Sequence, residues 1–319
     1  MPDTIDQLRS VILETLGASQ DLPSSWQLLG DLLMEDPEDE SSFGLDCTSL
    51  TAVSSCVGRK WLPFALAETL VVWTTLRTSL GSMRKELEFG APGLRRLVRV
   101  VEVDHQLLDP RLEMATFGDE WQIPSLNALL PPLWTWNAGD LRRGLEDCLP
   151  QISTKRSSER AALNSEAILL RFALRLQSAA YLLGALETAL DRTMKYVTAR
   201  VIGGSPLGDK QVVRHRIAQA YLEIRSLDLL VRRAVQGEPG SDLNRVTANM
   251  AYLHACRLVD GTLRNLIQLH GAAALTQAGF GTSLLQAKID CLRFGTEHSI
   301  EEELGLRSLD KTPLPSFAG

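Results

Sequence analysis

Few side chains in this 319-residue sequence stand at spacings that do familiar chemistry. Asp104 and His105 are adjacent, and a carboxylate beside an imidazole can hold and pass a proton. The same pair also suits the turn at the end of a strand, which is the commoner use. His254 and His270 lie sixteen residues apart, which is not a metal-ligand spacing, so core or capping roles are expected for both. Five cysteines (Cys47, Cys56, Cys148, Cys256 and Cys291) include no Cys-x-x-Cys pair and have no histidine cluster, so no zinc site and no metal is expected. The serine-hydrolase elbow, the phosphate-binding P-loop and the zinc-protease His-Glu-x-x-His motif are all absent. Trp134 and Trp136 can line an apolar pocket, though packing is the more frequent reason for tryptophans.

Positioning elements follow from periodicity. Ile5, Leu8, Val11, Ile12 and Leu16 give helical spacing over residues 4–18. Ser24-Ser25 offers an N-cap to a helix beginning at Trp26. The acidic run Glu35 to Glu40 reads as a solvated loop. A helix is expected over 48–57, and Pro63 begins another that runs through the apolar stretch to Leu80. The pattern then changes. Residues 97–103 alternate as a strand does, residues 111–123 do so more weakly, and 124–152 read as irregular with one short helix at 138–147. From Ser157 the chain is helical again. Leu169, Phe172, Leu176, Leu183, Leu186, Leu190, Met194 and Val197 mark one face of a long helix. Gly203-Gly204-Ser205-Pro206 turns the chain, and further helices are expected over 208–236, 242–270 and 282–293. Long helices joined by short loops pack as an antiparallel bundle.

Composition narrows the class. An apolar fraction of 45% with 23% charged residues is that of a globular protein, which excludes wholesale disorder. The net charge of -6 argues against nucleic acid as the partner. The N-terminus, MPDTIDQLRS, lacks the apolar core of a signal peptide, and the apolar stretch near the front is too short for a membrane span. Reduced thiols in a cytoplasmic protein are expected, with no membrane partner.

Three short motifs in order carry a family resemblance. Tyr196, Arg200, Gly204, Pro206, Leu207 and Gln211, followed by Arg214-His215-Arg216-Ile217-Ala218, resemble the signature between the first two bundle helices of the acyl-CoA dehydrogenase family. Ile267-Gln268-Leu269-His270-Gly271 with Thr276 is similar to that family's later "IQLHGG.G.T" motif. Val57-Gly58-Arg59, Leu62-Pro63-Phe64 and Ala67-Glu68-Thr69 look like its N-terminal pattern, in the form common to the actinobacterial type with heteromeric subunits. The resemblance implies a mainly α fold of acyl-CoA dehydrogenase type: an N-terminal helical domain over 1–83, a shrunken β middle domain over 84–153, and a C-terminal four-helix bundle over 154–319. It implies FAD as cofactor, shared with a partner subunit or lost, and an acyl thioester or related small molecule as substrate. It also implies a homo- or hetero-oligomer with an acyl-CoA dehydrogenase-like subunit.

The resemblance assigns Arg200, Gln268, Gly271 and Thr276 to the cofactor; arginine's planar, always-charged fork suits a pyrophosphate. The pattern also departs from the family. Gly203 replaces a phenylalanine, and Ala272 and Ala274 replace glycines whose bare backbone would let a dinucleotide approach, so their methyls are expected to narrow the groove. Arg214 and His215 are expected to line a helix interface. The family's catalytic carboxylate falls on Leu174 by one alignment and Ala278 by another. In a third it would precede Gly295 in Phe294-Gly295-Thr296. Glu297 is the weak remaining candidate, and an exposed acid opening the last helix is its plainer reading. The expectation is a half- or non-catalytic subunit in flavin-dependent acyl thioester oxidation, so an oxidoreductase or its non-catalytic partner. The alternative is a repurposed enzyme, performing non-redox cyclisation or elimination, or unusual flavin chemistry, on a biosynthetic intermediate in a cleft lined by Trp134, Trp136, Arg171 and Arg175.

Overall fold

The computed structural model describes residues 2–17, 46–62, 64–75, 96–101, 111–116, 157–238, 241–276, 287–288 and 290–309. The helix expected from Trp26, the one at 138–147, and Asp104, His105, Trp134, Trp136, Cys148 and Ala278 lie outside them. The described residues are mostly helical, with a small β component in the middle of the chain. The chain forms two compact units: Met1–Ala18, Asp46–Phe64 and Phe172–Gly319 in the first, Ser19–Leu45 and Ala65–Arg171 in the second.

In the second unit, α3 (Ala65–Thr75) lies against β1 (Arg96–Val101). β1 pairs antiparallel with β2 (Arg111–Thr116), in register from Arg96 opposite Thr116 to Val101 opposite Arg111. These two strands fall within the alternating stretches of the sequence.

The first unit holds the core. Helix α1 (Pro2–Gly17) packs on α2 (Cys47–Arg59), whose first turn is capped by the Asp46 carboxylate accepting from Ser49 N–H at 2.7 Å. A 43-residue helix, α4 (Ser157–Ala199), runs into this unit from the second. Every residue from Leu174 to Leu186 is buried, the polar Arg175, Gln177 and Ser178 included. The Leu169–Ala199 stretch is long and apolar enough to cross a membrane, yet 83% of its most apolar window is buried inside the protein, as in the core helix of a globular fold.

Glycines set the crossing of α2 and α4. A Cβ on Gly184 would lie 2.0 Å from the Ser55 carbonyl oxygen, and one on Gly58 would lie 1.9 Å from that of Tyr181. The backbones therefore touch, and several polar side chains beside the contact pair across it. Ser54 donates to Gln177 Oε1 at 2.9 Å, and Gln177 Nε2 donates to Thr51 at 3.1 Å. The Thr188 hydroxyl donates to the Arg59 carbonyl at 2.9 Å. Glu187 accepts from Arg9 at 2.7 Å and from Arg59 Nε at 2.8 Å, which ties α1, α2 and α4 to one carboxylate. Arg9 also donates to Ser55.

α4 ends in a short hairpin, β3 (Val201–Ile202) with β4 (Ser205–Pro206), turned by Gly203 and Gly204 at φ 64° and 80°. α5 (Gln211–Gln236) then packs along α6 (Asp242–Leu258), whose Ser241 cap accepts from Asn244 N–H. The single helix expected over 242–270 is divided: a π turn at Val259–Leu263 separates α6 from α7 (Arg264–His270). Gly271 stops α7 and α8 (Ala273–Thr276) follows. Of the helix expected over 282–293, residues 287, 288 and 290 are helical. Residues 291–294 turn, and a further helix, α9 (Glu297–Leu309), lies against α6. Phe64 joins these parts: its ring meets Tyr181 edge-on at 5.3 Å and Phe294 at 5.8 Å.

Replacing Gly184 by alanine should cost about 3 kcal/mol or more, because the new methyl meets backbone that cannot rotate away. The midpoint of urea unfolding of Gly184→Ala against the parent measures it. An unchanged midpoint would show that the helices part freely.

Candidate functional site

One end of the bundle gathers the residues that the motifs singled out. Tyr196, one turn before Arg200, stacks on the His270 ring with centroids 4.3 Å apart, and its hydroxyl donates to the His270 carbonyl at 3.3 Å. The last turn of α4 is thereby fastened to the last turn of α7, and Arg200 and Gly271 follow on the two sides of the contact. Thr193 fixes the imidazole from below. Its hydroxyl donates to Ala189 O at 2.7 Å, so the proton between Thr193 and His270 Nε2, 3.1 Å apart, belongs to the histidine. Burial disfavours the charged ring and holds His270 below its ordinary value.

Arg200 is exposed, and among the described residues no carboxylate pairs with it. Its backbone anchors the hairpin, donating to Tyr196 O at 2.9 Å and accepting from Leu207 N at 2.6 Å. Gln268 is also exposed, and its carbonyl accepts from Gly271 N–H at 3.1 Å. Gly271 adopts φ 57° and ψ -140°, a conformation essentially reserved for glycine. A Cβ at Gly203, Gly204 or Gly271 would meet nothing within 4 Å, so all three present bare backbone to open space. Of the two alanines expected to narrow the groove, only Ala272 is exposed. Ala274 is buried, and its methyl packs into the protein. Thr276 ends α8.

Arg214 and His215 do not line a helix interface. Both are exposed, because α5 turns Val213, Ala220, Ile224 and Leu227 inward and leaves positions 214 and 215 outside. Arg214 instead caps the 3-10 turn Leu207–Asp209, donating to Gly208 O at 3.1 Å and to Asp209 at 3.3 Å.

Leu174, where a carboxylate would belong, is fully buried in the core. Its neighbour Arg175 is buried too and is paired through Nε and Nη1. It donates to Phe294 O at 2.8 Å, to Asn249 Oδ1 at 2.7 Å and to Glu303 at 2.8 Å. Arg175 therefore locks the Phe294-Gly295-Thr296 turn and does not line an open cleft. Gly295 sits at φ 116°, and a Cβ there would come within 2.8 Å of the guanidinium. Glu297 opens α9 on the surface, 3.6 Å from Arg257. Its plainer reading, an exposed acid at a helix start, is what the structure shows.

His254 contacts Ser226 at 2.7 Å, the distance of a nucleophile from its base. The serine proton, however, goes to the Glu223 carbonyl at 2.7 Å, so the histidine donates and does not activate it. Sequence reasoning missed the Arg175 lock, although an arginine inside an apolar helical run is a visible signal for a buried charge network.

Residues 169–300 match the family model described as acyl-CoA dehydrogenase, C-terminal domain. The fold is that of the acyl-CoA dehydrogenases. Over 120 residues the chain is 32% identical to the L-prolyl-[peptidyl-carrier protein] dehydrogenase of Pseudomonas fluorescens, covering 34% of this chain and 31% of that protein. It is 27% identical over 137 residues to the acyl-CoA dehydrogenase IpdE2 of Mycolicibacterium smegmatis, covering 43% and 40%. The matches thus span well under half the length of these relatives. The ChsE4-ChsE5 complex from Mycobacterium tuberculosis superposes with a TM-score of 0.63 at 16% identity, covering 97% of this chain and 98% of that one. Within the matched residues 169–300 lie Arg200, Gln268 and Gly271, the Tyr196–His270 contact and the Arg175 lock.

The sign of the histidine shift can be tested. His270 should titrate below about 6.5, its ordinary value. Because the unfolded chain then binds the proton first, the stability contributed by neutral His270 is present above about 6.5 and is lost as pH falls through the depressed folded value. Ring resonances followed by NMR from pH 8 to 5 measure it. A midpoint at or above 6.5 would contradict the buried placement.

Proposed function

We propose that this chain is an acyl-CoA dehydrogenase-like subunit that holds the adenosine and pyrophosphate side of FAD in an oligomer acting on an acyl thioester, in a reduced, cytoplasmic setting. The observation that carries the reading is the Tyr196–His270 contact, which brings the ends of both motifs to one place with Arg200 exposed beside it. The residues present fit the group: an exposed guanidinium for phosphate oxygens, the exposed amide of Gln268, and bare backbone at Gly203, Gly204 and Gly271 for close approach. Thr276 belongs to the same set by its place in the motif. When bound, FAD would supply a two-electron acceptor. The chain's own part is to orient the dinucleotide through Arg200 and Gln268 and to keep the α4–α7 junction rigid through the neutral His270 ring.

The half- or non-catalytic role rests on the lack of a carboxylate at the family's positions among the described residues. Removing an α-proton from a thioester needs a carboxylate within hydrogen-bond reach. Leu174 and Phe294 offer none, and Glu297 lies on the surface 3.6 Å from Arg257. The two curated relatives are dehydrogenases of a carrier-protein thioester and of an acyl-CoA, which supports an acyl thioester as the substrate class. Leu222 and Leu229, two turns apart and both about two thirds exposed on α5, support an oligomer. The ChsE4-ChsE5 complex supports a hetero-oligomer with a dehydrogenase-like partner.

An absorbance spectrum of the purified protein, alone and co-expressed with a dehydrogenase-like subunit, tests the reading. Flavin bands in the complex, with Arg200→Ala reducing retained flavin at least tenfold, are the expected result; one lost charge-assisted contact of about 1.5–3 kcal/mol gives that factor or more. Unchanged retention in Arg200→Ala would remove the site. Absence of flavin from both preparations would favour a repurposed scaffold with non-redox chemistry.

A further inference from the structure

We propose that a single water molecule is a fixed part of the junction between α1, α2, α4 and α5, held there by Arg9. A small cavity lies at this junction, walled by apolar Ile5, Ala180, Leu183 and Val231 and by polar Arg9, Ser55 and Asp228. It has room for about one water. Arg9 is the group that calls for a guest, because its side chain is only 9% exposed. Its Nη2 donates to Glu187 at 2.7 Å and to Ser55, and its Nη1 lies 3.7 Å from Asp6. Its Nε is buried and has no acceptor among the described residues. A buried N–H left unpaired carries its full desolvation cost, so native folds seldom keep one. With both terminal nitrogens turned to other partners, Nε is the donor that Arg9 has left for the cavity.

The other polar walls supply the rest of a water's bonds. Ser55 Oγ accepts from Arg9, and no acceptor for its own proton is found among the described residues. Asp228 is buried as well. Its Oδ1 accepts from Arg232 Nε at 3.0 Å and its Oδ2 lies 3.2 Å from Arg225, and each oxygen keeps a second lone pair. The water takes the Arg9 Nε–H and the Ser55 proton on its oxygen and gives a proton of its own to Asp228. Three protein partners are the usual complement of an internal water. Thr51, also on the wall, is engaged elsewhere: it donates to Cys47 O at 2.7 Å and accepts from Gln177. The guest is neutral. Arg9 is matched by Glu187, and Arg232 by Asp228 and by Asp6 at 2.8 Å, so no unbalanced charge remains for an ion. The water therefore completes a chain of hydrogen bonds from α1 through α2 to α5, the helix that carries Asp228.

A crystal structure of the full chain, grown in bromide at a resolution that shows ordered solvent, tests the proposal. The expected result is a solvent peak within hydrogen-bond distance of both Arg9 Nε and the Asp228 carboxylate, with no anomalous signal from bromide. Well-ordered walls with no peak between them would overturn the proposal. So would an Arg9 side chain turned to place Nε on a protein acceptor, and so would a bromide peak at the site, which would mean an anion. Arg9→Met keeps an unbranched side chain and removes every donor. In the folded variant the peak should be lost, and a peak of unchanged height would overturn the assignment of Arg9 as the group that holds the water. The parent structure decides the presence of the water whether or not the variant folds.

Discussion

The backbone contact between α2 and α4 is the constraint on which the first unit depends. Two glycines, Gly58 and Gly184, let carbonyl oxygens sit where any side chain would place its first carbon. At that separation there is little room for interdigitated leucines, so specificity passes to hydrogen bonds, and the flanking Ser54, Thr51, Gln177, Thr188 and Glu187 are all engaged. Hydrogen bonds between buried polar groups are strong and directional, so they favour one alignment of the two helices. Register between the helices is therefore fixed, and with it the direction in which α4 carries Arg175 and Arg200.

Those two arginines do opposite things about seven turns apart on the same helix. Arg175 is buried, and its Nε and Nη1 donate to a carbonyl, an amide and a carboxylate; it behaves as a structural tie between α4, α6 and the turn before α9. Arg200 stands at the helix end with its guanidinium exposed. One helix thus carries one arginine turned into the protein and, at its end, one turned to solvent.

Much of this was legible from spacing. Helix α2, the strand pair, the long α4, the glycine hairpin and the antiparallel α5 and α6 follow from periodicity, caps and Gly-Pro punctuation. The helices that carry the two motifs meet through Tyr196 and His270. What could not be read has physical reasons. The π turn leaves no mark, because Tyr252, Val259, Leu263, Leu266 and His270 keep steps of three, four or seven through it. α9 is acidic and weakly amphipathic, so its periodicity is faint. Leu174 announced a missing carboxylate, but that Arg175 would close the neighbouring turn depends on Asn249 and Glu303, distant in sequence and nearby only after folding. Ala274 was misjudged because a residue's type does not say which way its methyl faces.

The π turn at Val259–Leu263 joins two segments that are each held in place by other contacts. α6 is pinned before it by Asn249 and Tyr252, and α7 is pinned after it by the stacked His270. One residue added to an ordinary helix would rotate everything beyond it by about 100°. Here the extra backbone is absorbed in a single wide turn that exposes Gly261. The turn thus takes up the mismatch between two pinned segments, and the glycine that ends α7 keeps its orientation.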